Sequence, residues 1–362
     1  MPPLSVMIKP VSGACNLRCK YCFYADESEN RAVPCYGTMS AETAKSLIRK
    51  AFIYADGSVS FAFQGGEPLL AGIKFFKDFV DTVRSYNSRH LPVGFSVQTN
   101  ATLLTDEYCA FFAENAFLVG VSLDGGAKTH DKNRVYPNGG GSYADVKRGI
   151  ELLRQHRVEF NVLCVLTNDV AESIRDTWAE LASYGHVQLI PCIEPFGAEG
   201  EPLLSAEAYG KALTEVFDMY EKTQLTSAPV RERRLDNYLY ALSGLPPQQC
   251  GMAGGCGISF LCEADGSIFP CDFYALDEWK LGNINETSFA RMEKGERMQK
   301  FLEDGLDLPN ECRQCKYLFI CRGGCKRDRE PNNSANRFCE AYKYFFDNRI
   351  EKMQQLARKL CR

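Results

Sequence analysis

No run of about eighteen apolar residues occurs in the 362-residue chain, so no segment is long enough to cross a bilayer as a helix. The N-terminal stretch Met1-Pro2-Pro3-Leu4-Ser5 lacks a basic region followed by an apolar core, so it does not read as a signal peptide. A cytoplasmic protein without membrane contacts is the expectation. Long blocks of like charge are absent, as are solenoid-type repeats and low-complexity tracts. The net charge of -4 argues against a surface that grips nucleic-acid phosphates. Histidine is scarce, and none of the four sits in a motif. His90, His156 and His186 read as loop or helix-end surface residues; His130 lies near Arg134 and is the one that could serve a site.

Cysteine, by contrast, is abundant. A hydrophobic content of 45% and a charged content of 24% are those of an ordinary globular protein. Seventeen cysteines in such a chain need an explanation. Disulfides rarely persist in a reducing cytosol, so metal or cluster ligation is the leading account, and oxygen sensitivity follows.

The chain is organised around Cys15-Asn16-Leu17-Arg18-Cys19-Lys20-Tyr21-Cys22, three thiols with three and two residues between them. An iron–sulfur cluster normally takes four cysteine ligands. Three thiolates therefore leave one iron open, as a catalytic zinc site keeps a position for substrate or water. A structural zinc knuckle or a disulfide pair is the plainer alternative, and the cysteine pattern downstream argues against both.

Leu4–Lys9 reads as a short buried strand that delivers the chain to this loop. Strands then alternate with helices. The strands are Val59–Phe63, Val93–Gln98, Phe117–Ser122, Glu159–Leu166 and Val187–Ile193. Between them lie helical patterns at Ala41–Ala55, with Ser40 as its N-cap, and at Ile73–Tyr86, Glu107–Asn115, Tyr143–His156 and Ser173–Ser183. Such alternation implies parallel βαβ units. Six units fall short of the eight of a closed barrel and suit an open, partial (β/α)6 TIM-like barrel. Ligands of parallel α/β sheets sit beyond the carboxyl ends of the strands. The cysteine loop, Gln64-Gly65-Gly66-Glu67-Pro68, Gln98-Thr99-Asn100, Ser122-Leu123-Asp124 and Ile193-Glu194-Pro195 all fall there. Helices at Ala206–Lys222 and Arg231–Leu242 follow, and Gly244-Leu245-Pro246-Pro247 marks a boundary. The domains are drawn at 1–235 and 236–362. Ten of the seventeen cysteines lie in the last third, where Glu263-Ala264-Asp265-Gly266 reads as a hairpin turn and Cys312-x2-Cys315-x5-Cys321-x3-Cys325 is dense.

The first cysteine run resembles the signature of the radical S-adenosylmethionine (AdoMet) enzymes, and the C-terminal pattern is similar to the SPASM domain. Asn16-Leu-x-Cys19, Tyr21-Cys-Phe-Tyr24, Phe61-Ala-Phe-Gln-Gly-Gly-Glu-Pro68, Gln98-Thr-Asn100, Cys250-Gly-Met252 and Pro270-Cys-Asp-Phe-Tyr274 together resemble the anaerobic sulfatase-maturating enzymes over essentially the whole chain. Two positions depart from that pattern: Ala101 stands where the family usually has Gly, and Gly126 where Pro is common.

The resemblance implies three [4Fe–4S] clusters and AdoMet. Cys15, Cys19 and Cys22 would hold the first cluster. Cys250, Cys256, Cys271 and Cys325 would hold the second, with Cys262 able to replace Cys256. Cys312, Cys315, Cys321 and Cys339 would hold the third. Six cysteines remain: Cys35, Cys109, Cys164, Cys192, Cys262 and Cys361. Of these, Cys109 and Cys164 read as core packing. Gly65, Gly66 and Glu67 would receive the amino group of AdoMet, since glycine lets a ligand approach the backbone. Ser122 would lie near the ribose, and Arg134 near the carboxylate, which its fork suits. Tyr24 would contact adenine, with Gln64 and Ile193 as further cofactor or substrate contacts. Asp272 would be the general base.

The activity so implied is oxygen-independent oxidation of a sulfatase Cys or Ser to Cα-formylglycine through a 5′-deoxyadenosyl radical. The substrate would be a peptide or unfolded segment of the sulfatase. An external one-electron reductant such as flavodoxin or ferredoxin would be needed. The alternative is modification of a ribosomally made peptide by thioether formation, carbon–carbon crosslinking or epimerisation. The short segment before the first strand favours the sulfatase reading. A non-enzymatic cluster scaffold would leave the α/β repeats and Gly65-Gly66-Glu67 without a purpose.

Overall fold

The computed structural model describes residues 3–329 and 334–360. The chain forms two compact units that do not follow sequence order. The first comprises Met1–Ser122, Asp131–Phe160 and Ile258–Phe301; the second comprises Leu123–His130, Asn161–Gly257 and Leu302–Arg362.

In the first unit, β1 (Leu4–Ile8), β2 (Val59–Phe63), β3 (Val93–Thr99) and β4 (Phe117–Ser122) pair in parallel. Both β1 and β2 bury alternate residues fully, as apolar alternation requires. Helices Ala41–Tyr54, Ile73–Tyr86 and Asp106–Glu114 connect the strands. The Ser40 hydroxyl accepts the Thr43 N–H at 3.1 Å and caps the first of these. Their apolar faces bury Phe76, Phe79 and Phe112 over Phe61, Phe63 and Phe117 of the sheet. Phe61 and Phe63 meet the Phe79 ring edge-on, with centroids 5.2 and 5.0 Å apart, the arrangement favoured by the ring quadrupoles.

The C-terminal hairpin also belongs to this unit. β8 (Phe260–Cys262) lies parallel to β1, with Val6 opposite Phe260 and Ile8 opposite Cys262. β9 (Ser267–Phe269) returns antiparallel to β8, and β10 (Gly282–Asn283) pairs with β9. The turn at Glu263–Gly266 is the one expected from sequence: Gly266 has φ +88°, and Asp265 accepts the Ser267 N–H at 2.9 Å. The sequence pattern did not indicate that this hairpin extends the sheet beside β1. A helix at Phe23–Glu29, directly after the cysteine loop, also went unforeseen.

In the second unit, β5 (Phe160–Leu166, of which the unit takes Asn161 onward), β6 (His186–Pro191) and β7 (Arg231–Glu232) pair in parallel, in that order. Helices Ile174–Ala182, Ala206–Glu221 and Arg233–Leu242 accompany them. A 22-residue helix, Cys339–Leu360, packs Phe345 and Phe346 against Phe217 and Tyr238. Among the described residues no helix is long and apolar enough to cross a membrane.

Candidate active site

Strand β1 ends where the cysteine loop begins, and the loop is held from several sides. Arg18 and Lys20 donate their backbone N–H groups to the carbonyls of Val135 and Asn133 at 2.7 and 3.1 Å. Gly66 and Glu67 donate theirs to Ser12 and Ala14 at 3.0 and 2.8 Å. A Cβ on Gly66 would lie 2.0 Å from the Ala14 carbonyl oxygen, so only glycine lets the strand end approach the loop this closely. Asn16 donates to the Thr102 hydroxyl at 2.8 Å and accepts from the Asn100 amide at 2.9 Å. The carboxyl end of β3 thus clamps the loop.

The three thiols are half-buried and free of disulfides. Leu17 points its N–H at the Cys15 sulfur at 3.4 Å, and the Arg134 guanidinium lies 3.9 Å from the Cys19 sulfur. Burial pushes the Cys15 thiol up to about 12, against the pull of the Leu17 N–H. Such a thiol ionises when a metal charge replaces its proton. Among the described residues no three His, Cys, Asp or Glu side chains are arranged to hold a single metal ion. Three thiols on one short loop, with an N–H and a cation turned toward them, fit the wider cubane of an iron–sulfur cluster.

Glu67 is fully buried. Its oxygens accept from the Leu69 N–H at 3.0 Å, the Thr99 hydroxyl at 2.8 Å and the Asn100 N–H at 2.8 Å. The carboxyl group is therefore committed to tying the end of β2 to the end of β3. Burial raises Glu67 to about 7, opposed by these three donors. Ser122, at the end of β4, accepts from the Gln98 amide at 3.2 Å. Arg134 is buried and also stacks over the Tyr21 ring at 5.4 Å. Ile193 belongs to the second unit, half-buried two residues past β6.

Asp272 follows the β8–β9 hairpin and is buried. Its Oδ2 accepts from the Tyr24 hydroxyl and from the Gln64 amide, each at 2.7 Å, and Gln64 also donates to Tyr24. Three residues singled out from the sequence thus form one hydrogen-bonded triangle. Its Oδ1 has no hydrogen-bond partner, and the Lys9 ammonium lies 3.9 Å away.

Lys9 leads to a larger buried network. Its ammonium meets Glu27 at 3.0 Å and Glu263 at 3.5 Å, while Arg31 meets Glu263 at 2.6 Å and the Ser12 hydroxyl at 3.0 Å. Two cations thus face three carboxyl groups. Burial would lower Lys9, but Glu27, Asp272 and Glu263 outweigh it and raise its pKa. Burial lifts Glu27 to about 7, opposed chiefly by Lys9. Asp272 is also raised, by burial first, against Lys9 and the Tyr24 hydrogen bond. Lys9, Glu27, Arg31 and Glu263 were not anticipated from sequence. The available signal was Lys9 itself, a charge ending an otherwise apolar strand.

In the second unit, one cavity is lined by Cys312, Cys315, Cys321 and Cys339, together with Asn336 and Lys343. Tyr317 aims its N–H at the Cys315 sulfur at 3.4 Å. Burial raises the Cys321 thiol to about 11, and the Gly323 N–H opposes it. Four free thiols around one hollow, with backbone donors turned toward sulfur, fit a fully cysteine-ligated cluster. Cys250, Cys256 and Cys325 also gather in this unit, where burial raises Cys325 to about 12 and the charges of Cys250 and Cys256 add to it. Cys271 lies in the first unit, next to Asp272. Cys262 sits fully buried in β8, its thiol directed to the Glu263 carbonyl at 3.4 Å. Cys109, Cys164 and Cys192 are buried, Cys35 is exposed, and Cys361 lies outside the described residues. His130 is also buried, and its Nδ1 accepts the Asp124 N–H at 3.2 Å.

Comparison with known proteins agrees with this chemistry. Residues 10–181 match the radical SAM superfamily, and residues 256–316 match the SPASM iron–sulfur cluster-binding domain. The cysteine-type anaerobic sulfatase-maturating enzyme of Clostridium novyi (strain NT) is 38% identical over 99% of both chains. The serine-type enzyme of Bacteroides thetaiotaomicron is 31% identical over 99% of this chain and 92% of its own. The solved structure of native anSMEcpe with bound AdoMet and Cp18Cys peptide superposes with a TM-score of 0.94 at 36% identity, covering 99% of this chain and 100% of that one. Streptococcus suis SuiB bound to precursor peptide SuiA gives 0.65 at 16% identity, covering 94% of this chain and 76% of that one, which is a likeness of fold alone. Gathered thiols, strand-end loops and full-length similarity converge: the chain belongs to the anaerobic sulfatase-maturating enzymes of the radical SAM superfamily, which work with AdoMet and [4Fe–4S] clusters.

Proposed function

We propose that this chain oxidises a sulfatase cysteine, presented as a peptide or unfolded segment, to Cα-formylglycine without oxygen, with Asp272 as the base. The identities support cysteine over serine: 38% and 37% to cysteine-type relatives against 31% and 29% to serine-type ones. Cys15, Cys19 and Cys22 would hold the first cluster. The sets Cys250, Cys256, Cys271, Cys325 and Cys312, Cys315, Cys321, Cys339 would hold the other two. Gly65, Gly66 and Glu67 would take the amino group of AdoMet, Arg134 its carboxylate, Ser122 its ribose and Tyr24 its adenine, with Gln64 and Ile193 as further cofactor or substrate contacts. When bound, these groups supply a hydrogen-atom abstractor at the first site and one-electron acceptors at the other two.

The chain's own residues handle the proton. Loss of a hydrogen atom from the substrate β-carbon leaves a radical that is easier to oxidise once its thiol is deprotonated. Asp272 is fitted to take that proton. Tyr24 and Gln64 fix Oδ2 and so orient the carboxyl group, while Oδ1 is left unpartnered. Burial raises its proton affinity above that of an ordinary carboxylate, which suits a base. Lys9 keeps enough positive charge nearby for the carboxylate to persist before the transfer. Water then converts the thioaldehyde to the aldehyde with loss of sulfide.

The observation that carries this reading is Asp272 held by Tyr24 and Gln64, one from the cysteine loop's own helix and one from the end of β2. Incubating reduced, cluster-loaded protein with a Cys-x-Pro-x-Arg peptide and its serine counterpart tests it. The cysteine peptide should lose mass as its thiol becomes an aldehyde. Unchanged peptide alongside continued 5′-deoxyadenosine release would rule the substrate out. We further propose a cytoplasmic setting with a flavodoxin or ferredoxin as reductant.

A further inference from the structure

Asn336 is 3% exposed and lines the cavity walled by Cys312, Cys315, Cys321 and Cys339. Its Oδ1 accepts the Phe338 N–H at 2.9 Å, which fixes which end of the amide is oxygen. Its carbonyl accepts the Cys339 N–H at 2.7 Å, so the residue also organises the start of the helix Cys339–Leu360. That leaves the amide NH2. It is buried and makes no hydrogen bond of full geometry to the protein. An unsatisfied buried donor is costly, and in a native structure it asks for a ligand.

The surroundings make room for this group. Arg322, Gly323 and Gly324 have φ of +53°, +83° and +70°, a left-handed run joining Cys321 to Cys325. A Cβ on Gly324 would lie 2.3 Å from the Asn336 Nδ2, so a side chain there would displace the amide. Asp328 is a competitor for the amide: the Asn336 side chain acts on it as a donor that lowers its pKa, although the pair makes no hydrogen bond of full geometry.

We propose that the Asn336 side chain donates an N–H···S hydrogen bond to the iron–sulfur group held by Cys312, Cys315, Cys321 and Cys339, and so raises its reduction potential. The inference rests on the cluster assignment made above. A donor to sulfur favours the reduced, more negative state, and hydrogen bonds to the sulfurs are among the determinants of cluster potential. Asn336 is a tuning residue; it touches no substrate.

The test is an EPR-monitored redox titration of the anaerobically reconstituted full-length protein, with iron content measured in parallel. The signal lost in Cys312→Ala marks this site. Asn336→Ser and Asn336→Asp both keep an oxygen for the Phe338 N–H and both remove the NH2. With iron content at the wild-type level, each variant should show a reduced fraction at this site about tenfold lower at a fixed poise, which is 59 mV for a one-electron couple. The other two couples should stay in place. An unmoved couple, or iron lost from this site in both variants, would make Asn336 a helix cap only and overturn the inference. Wild-type protein with no signal dependent on Cys312 would overturn the cluster assignment itself, a failure visible before any Asn336 variant is made.

Discussion

Asp272 holds the centre of the site with two hydrogen bonds on one oxygen and a buried cation near the other. Replacing it with asparagine keeps the shape and removes the proposed base. Asp272→Asn should lower peptide oxidation by about 10²–10⁴-fold, the usual contribution of a positioned base, while AdoMet cleavage continues. Comparing 5′-deoxyadenosine release with product would reveal that uncoupling. Because burial raises the Asp272 pKa, turnover should climb with pH above the ordinary carboxylate range, as the unprotonated base becomes available. Lys9 makes the complementary case. Lys9→Met would leave Glu27, Glu263 and Asp272 facing Arg31 alone. Breaking a buried charge network of this kind typically costs about 3–5 kcal/mol. Urea denaturation should show that loss, and the pH at which turnover rises should move upward.

At the scale of elements, Glu67 joins two strand ends. Its three acceptor bonds run from the turn after β2 to the end of β3, where Asn100 reaches the cysteine loop. Its proton has a stability consequence with a definite sign. The folded protein keeps it up to about pH 7, whereas the unfolded chain releases it near 4.5. Between those values the unfolded state binds fewer protons, so stability falls as pH rises and levels off above 7. The contribution is on the order of 3 kcal/mol at most. In apo-protein, Glu67→Gln should have a shallower decline than wild type over that window; parallel urea curves would reveal an unaltered slope and so refute the assignment. Ala101, where the family usually has glycine, adopts φ +61° with its methyl group buried. The Ala101 N–H donates to the Thr99 hydroxyl at 3.0 Å, and the Asn100 amide reaches Asn16.

For the whole molecule, the described cysteines other than the exposed Cys35 divide into thiols gathered at sites and thiols packed in cores. Cys109 and Cys164 are buried inside the core, as their apolar surroundings suggest. Removing Cys15, Cys19 and Cys22 together should take away about four of roughly twelve irons and abolish AdoMet cleavage. The remaining sites should still load, as iron and sulfide analysis would show. Retention of all iron in that variant would contradict the ligand assignment. The contrast between local and distant relationships is equally clear in the fold. The Ser40 cap and the Gly266 turn were legible because capping and turning depend on a few adjacent residues. The βα repeats were legible because apolar spacing reports which face of each element is buried.

The network under Asp272 was not legible in that way. Glu263 and Arg31 are 232 positions apart, and no periodicity links them. The amino-acid order alone determined the chemistry: the thiol spacing, the glycines at the strand end, the parallel α/β pattern and the acid beside Cys271. Only the tertiary structure decided that β8 lies beside β1, bringing Asp272 and Glu263 to Lys9, and that Glu67 turns inward. The physical reason is that spacing along a chain encodes local geometry. Which distant charges share one dry interior is decided by how the strands pair and what water they exclude.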